Sequence, residues 1–212
     1  MKYLLMILFP AFIAFGQEPE TTETTSLPGG IEIKFGVSYY SPNLDSLNVA
    51  FTGVEEQLGY RKWGNSSLPY FASIEARYPL FLGQSIIVEV AGGVVSRTHE
   101  DDRSLTSIWR GGAGYRFQLP VVPVNVAVQG TVGMVWASIS RTYDSNSAVL
   151  NAAGNTWYIA AAGTGSYRLT SWASIELSAG YTFVNSFTTS TPEAEIDLKS
   201  LVAGLGVVID LR

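Results

Sequence analysis

Tyr70-Phe71-Ala72-Ser73-Ile74-Glu75-Ala76-Arg77-Tyr78 alternates residue by residue: Tyr70, Ala72, Ile74, Ala76 and Tyr78 share one face, with Ser73, Glu75 and Arg77 on the other. A period of two is the mark of a β-strand that is dry on one side and wet on the other. The dry face begins and ends on tyrosine, and the wet face carries charges of both signs. At roughly 3.3 Å per residue and a tilt near 40°, the two tyrosines stand about 20 Å apart in height, close to the ~25 Å apolar band of a transmembrane barrel.

The same alternation recurs on both sides of this segment. It predicts eight strands, at 31–40, 70–78, 85–97, 108–119, 124–138, 156–169, 173–183 and 200–211. The first sets Ile31, Ile33, Phe35, Val37 and Tyr39 against Glu32, Lys34, Gly36 and Ser38; the last sets Leu201, Leu205, Val207 and Ile209 against Gly204, Gly206 and Asp210. The connections 79–84, 120–123 and 170–172 are short, whereas 41–69, 98–107, 139–155 and 184–199 are longer and polar. Short turns at one end and long loops at the other are what up-and-down outer-membrane barrels show. An even strand number puts both chain ends on the short-turn side.

Alternation alone does not say whether the apolar face points in or out. Three features place it in lipid. Aromatic side chains gather at the strand ends, with Tyr39, Tyr70, Trp136, Trp157, Tyr181 and Phe183 at the long-loop rim and Tyr78, Tyr115, Phe117 and Tyr167 at the short-turn rim. Amphipathic rings belong at the headgroup level of a bilayer. No Lys, Arg, Asp or Glu falls on the apolar face of the predicted strands, where Lys or Arg costs roughly 2–4 kcal/mol at mid-membrane. The opposite face is balanced: Glu32, Glu75, Glu89, Glu176 and Asp210 against Lys34, Arg77, Arg110, Arg116 and Arg168. A paired set suits a narrow lumen in which a lone charge is costly.

Composition agrees. Charged residues are 15% of the 212, below the roughly 25% usual in soluble domains. The net charge of −5 offers no basic footprint for nucleic acid. There is no cysteine, hence no disulfide, thiolate metal site or lipoprotein anchor, and a single histidine, so no cofactor or metal is expected. Met1-Lys2, the apolar run Tyr3 to Phe15 and Ala14-Phe15-Gly16 read as a cleaved signal peptide, 1–16. The acidic, Thr-rich stretch 17–30 reads as a flexible leader, and 31–212 as the barrel.

On these features the chain resembles the small bacterial outer-membrane β-barrels of the OmpA/OmpX type. The resemblance implies an all-β, eight-stranded antiparallel up-and-down barrel in the bacterial outer membrane. It further implies a monomer among membrane lipid and lipopolysaccharide, inserted by the barrel assembly machinery with periplasmic chaperones. Such barrels commonly end on an aromatic residue; this chain ends Ile209-Asp210-Leu211-Arg212.

An eight-stranded barrel is just wide enough for side chains to fill, so the ten lumen charges are expected to be a structural plug. In the first long loop, Leu47, Phe51, Val54 and Leu58 recur at helical spacing before Gly59. A helix packed on the barrel mouth is expected there. Tyr60-Arg61-Lys62-Trp63 follows, a candidate contact for lipopolysaccharide phosphates. His99-Glu100-Asp101-Asp102-Arg103-Ser104 holds the sole histidine without a motif fixing a nucleophile, so no catalytic residue is assigned. The expected role is a non-enzymatic barrel whose loops act in surface interaction or envelope integrity. The alternative is a narrow channel or transporter of a small apolar ligand, resembling OmpW-like proteins, with a lipid A-modifying enzyme third.

Overall fold

The computed structural model describes residues 30–211, apart from 41, 43, 61, 64–69, 82, 101, 120–123, 144–147 and 191–192. The predicted signal peptide, the leader as far as residue 29, and Arg61 and Arg212 lie outside the described residues.

Strands β1 (Ile31–Tyr40), β2 (Tyr70–Pro79), β3 (Gln84–His99), β4 (Asp102–Leu119), β5 (Asn125–Tyr143), β6 (Ala148–Arg168), β7 (Ala173–Val184) and β10 (Ser200–Leu211) form the barrel wall. Helix α1 (Asp45–Leu58) lies between β1 and β2, and a small hairpin, β8 (Phe187–Ser190) with β9 (Glu193–Ile196), lies between β7 and β10. The wall order β1-β10-β7-β6-β5-β4-β3-β2 closes on itself, all pairs antiparallel. Closure removes every sheet edge within the membrane, as lipid demands.

The alternation sets the two faces. Phe35, Val37, Ile74, Val88, Val90, Val128, Val132, Leu205 and Val207 point outward, each 45–58% exposed. Exposure of that extent around the whole wall is unfavourable in water and natural in lipid. Among the described residues, the outward face of the wall strands carries no charge below Arg103 in β4.

Four strands run further than the alternation predicts. Segments 98–107 and 139–155, expected as loops, are mostly strand: β3 reaches His99, β4 starts at Asp102, β5 reaches Tyr143 and β6 starts at Ala148. Pairing of β3 with β2 stops at Gly92, while pairing with β4 continues to His99–Asp102. Pairing of β6 with β7 begins only at Tyr158. Strands β3 to β6 therefore rise beyond the rest of the wall as a four-stranded projection. The six residues from Trp109 to Arg103 correspond to a height of about 15 Å.

Within this projection the sense of the alternation reverses along β5. Up to Trp136, β5 puts apolar residues outward; above it, Ala137 and Ile139 are buried inside and Ser138, Ser140 and Thr142 face out. A polar outer face of this kind on β5 suits a surface in water. The phase change reads as a strand end in the sequence, which is why the alternation predicts a shorter β5.

Helix α1 fills the space that the projection encloses. Its buried stripe is Phe51 with Asn48 and Glu55, continued by Leu44 just before the helix. Of the expected stripe Phe51 is buried, whereas Leu58 is 53% exposed and Asn48 and Glu55 are buried instead; the side chain of Leu47 lies outside the described residues. The helix ends at Gly59, whose positive φ of 70° allows Gly59 N–H to bond Glu56 O and Tyr60 N–H to bond Glu55 O. Tyr40, Leu44, Phe51, Phe71, Ile108, Val135, Ala137, Ile139, Ala152, Val184 and Leu198 form one buried apolar cluster. The barrel thus has a protein-like core in its extracellular half.

Candidate functional site

The lumen holds two ionic clusters at different heights. The lower one centres on Glu176 of β7, which is fully buried. Arg77 of β2 grips it with both terminal nitrogens, Nη1 to Oε2 at 2.8 Å and Nη2 to Oε1 at 2.6 Å. Lys34 Nζ of β1 donates to Oε1 at 2.7 Å, and Arg116 Nη2 of β4 to Oε2 at 3.2 Å. A two-pronged guanidinium contact of this kind is geometrically specific as well as strong.

Three cations on one carboxylate need further anions. Glu75 accepts from Arg77 Nε, and Glu32 lies 3.6 Å from Arg77 Nη1. Lys34 reaches across because Gly206 leaves room; a Cβ there would sit 2.8 Å from Lys34 Cε. Slightly apart, Glu89 of β3 accepts from Tyr158 Oη at 2.8 Å and Thr131 Oγ1 at 3.4 Å, and lies 3.7 Å from Arg110 Nε. Arg110 Nη1 donates to Thr182 Oγ1 at 3.1 Å. Tyr158 lies against Gly112, where a Cβ would meet its hydroxyl at 2.5 Å. A cavity of about 60 Å³ remains between Lys34, Glu75, Glu89, Arg110, Gln129 and Thr182, space for a few waters.

Of the ten lumen charges named from the sequence, Glu32, Lys34, Glu75, Arg77, Arg116 and Glu176 meet in this layer, and Glu89 and Arg110 pair beside it. Arg168 and Asp210 do not. They face one another at 4.0 Å near the short-turn end, and Arg168 spends its hydrogen bonds on the carbonyls of Thr170 and Ser171.

The upper cluster escaped the sequence reading. Glu55 of α1 accepts from Arg141 Nη1 of β5 at 2.6 Å and from Tyr143 Oη, all three buried. The Arg141 guanidinium lies 4.5 Å from the Phe51 ring, and Tyr60 stacks on Tyr143 at 4.6 Å. Burial, reinforced by the Glu55 carboxylate, pushes the Tyr143 hydroxyl above the usual phenol range, so it remains a donor. Among the described residues, Glu55 Oε2, Arg141 Nε and Arg141 Nη2 are buried without a hydrogen-bond partner. A signal was present: Glu55 follows Phe51 by four residues, which puts both on one helical face. Only the docked helix shows that this face is the buried one.

The other residues singled out from the sequence are dispersed. The rim aromatics Tyr39, Tyr70, Tyr78, Tyr115, Phe117, Trp136, Trp157 and Phe183 are exposed on the outer wall; Tyr167 and Tyr181 are partly covered there. Tyr39 meets Tyr70 edge to face at 6.0 Å, and Tyr181 meets Phe183 at 4.5 Å. Lys62 is paired with Glu56. His99 is exposed at the tip of the β3–β4 hairpin, opposite Asp102. Among the described residues there is no group of three or more His, Asp or Glu placed to hold a metal.

No protein family and no curated protein matches the sequence. Solved structures do match the fold. Neisserial surface protein A aligns with a TM-score of 0.58 at 12% identity over 85% of this chain and 98% of its own. Ail, the attachment invasion locus protein of Yersinia pestis, solved with the heparin analogue sucrose octasulfate, aligns at 0.57 and 12% over 87% and 100%. A major outer membrane protein of Thermus thermophilus aligns at 0.57 and 10% over 86% and 100%. The chain has the fold of the small outer-membrane β-barrels, and its apolar wall is a lipid-facing surface.

Proposed function

We propose that this protein is a non-enzymatic outer-membrane barrel, sealed to ions, whose β3–β6 projection and helix α1 form a surface for contacts outside the cell. The observation that carries this reading is the double closure of the lumen. The Glu176 layer fills the membrane half with paired charges, and α1 with the apolar cluster fills the extracellular half. An ion passing through has to break charged hydrogen bonds in one layer and enter an apolar plug in the other, each several kcal/mol uphill. Lipopolysaccharide surrounds the projection in such a membrane. Lys62 brings little net charge to its phosphates, being held by Glu56. Assembly proceeds through the barrel assembly machinery and periplasmic chaperones.

Single-channel recording in a planar bilayer tests the sealed lumen. Silence supports it, and persistent ohmic openings of the folded wild-type protein overturn it.

A further inference from the structure

Helix α1 presents a carboxylate and an aromatic ring, one turn apart, to a site whose polar groups the barrel wall supplies. The carboxylate of Glu55 meets Arg141 and Tyr143; the ring of Phe51 lies under the Arg141 guanidinium and joins the apolar cluster with Ile108, Ile139 and Ala152. Arg141 and Tyr143 both belong to β5, so the recognition groups stand on a wall strand and not on the loop.

The fit of the helix to this site is incomplete. Among the described residues, Glu55 uses only Oε1 for both donors, leaving Oε2 orphaned, while Arg141 Nη2 and Nε, fully buried, find no acceptor. A carboxylate well placed before a guanidinium engages it through both oxygens, as Glu176 does with Arg77; Glu55, held where α1 docks, reaches Arg141 through one. The wall is therefore more complementary to a separate carboxylate than to the one it holds.

We infer that the extracellular half of the lumen is a binding site for a small carboxylate with an apolar tail, and that α1 occupies it as a built-in surrogate, Glu55 standing for the head group and Phe51 for the tail. The ligand displaces α1 outward and satisfies Arg141 through two parallel hydrogen bonds. The inference goes beyond the sealed-barrel reading. A site open only to the outside takes a ligand without passing ions, so conductance judges one and binding the other.

The test uses the full chain in lipid nanodiscs and calorimetric titration with 4-phenylbutanoate and its uncharged analogue 4-phenylbutanamide. Phe51→Ala/Glu55→Gln removes the surrogate while leaving the wall intact. This variant binds the acid at least about tenfold more tightly than the wild type. The amide shows no such gain, and adding Arg141→Met abolishes it. Heat-modifiable migration verifies that each barrel is folded; should the double variant fail, Glu55→Gln alone serves the same comparison, and Tyr143→Phe replaces Arg141→Met. Equal binding of acid and amide, or no gain on removing the surrogate, overturns the inference.

Discussion

The two halves of this barrel solve opposite solvent problems with one chain. Between the aromatic rims, apolar residues face out and Glu176, Arg77, Lys34 and Arg116 lie within. Above the Trp136 level, Ser138, Ser140 and Thr142 face out and Ala137, Ile139 and Ala152 lie within. Each half also buries an ionic cluster, and the clusters differ in what holds them. The Glu176 layer joins residues from four wall strands, so it cannot open without deforming the barrel. The Glu55–Arg141 pair joins a wall strand to a loop helix. A loop can leave while the wall stays. The same chemistry is therefore structural in one half and releasable in the other.

The sharpest way to break this contrast is Glu176→Gln. It leaves Arg77, Lys34 and Arg116 around an uncharged amide. Removing one member of a buried charged group costs about 3–5 kcal/mol. Global stability, followed as loss of the heat-modifiable band in urea, should fall by that order. A variant as stable as the wild type would show that the layer is not a structural element.

Arg141→Met should behave differently. It strands Glu55, and undocking of α1 relieves the penalty, so the barrel midpoint in urea moves little. Docking weakened by about 2 kcal/mol raises the open population about thirtyfold. Limited trypsinolysis at Lys62 should accelerate accordingly. A large fall in barrel stability with unchanged proteolysis would reverse the assignment of the two clusters.

Arg110→Gln is expected to cost less than Glu176→Gln. Glu89 keeps Tyr158 and Thr131, and only a 3.7 Å ion pair and one bond to Thr182 are lost. A loss of about 1–2 kcal/mol is expected from a partner removed from a group that keeps other donors. Arg168→Gln should be smallest, within about 0.5 kcal/mol, because its ion pair with Asp210 is long and half exposed. An Arg168 effect matching that of Glu176 would mean that the charges form one network after all.

Particular residues mark where the sequence is legible. Tyr70 to Tyr78, with charges between two tyrosines, specifies both faces and the membrane height of β2 without reference to any other strand. Glu75, Arg77, Glu89 and Arg116 are recognisable as lumen charges for the same reason. Arg168 and Asp210 have the same parity, and only their place beside the 170–172 turn separates them from the layer. The stretch 137–143 is harder. Its buried positions, Ala137, Ile139, Arg141 and Tyr143, continue the inward parity of Gln129 and Thr131 but change chemistry along the way. Glu55 is harder still, since a glutamate on a loop helix ordinarily faces water.

Side-chain alternation is a local property, set by the pleat of each strand and by the solvent on either side. The eight strands, their lipid face and the charged lumen were therefore contained in the order of the residues alone. Where lipid gives way to water, the alternation keeps its parity and exchanges its meaning. Whether α1 lies on the mouth or inside it depends on the width of the space between four extended strands. Those outcomes rest on contacts between residues far apart in the chain, such as Glu55 with Arg141 and Lys34 with Glu176, and only the closed barrel brings them within reach.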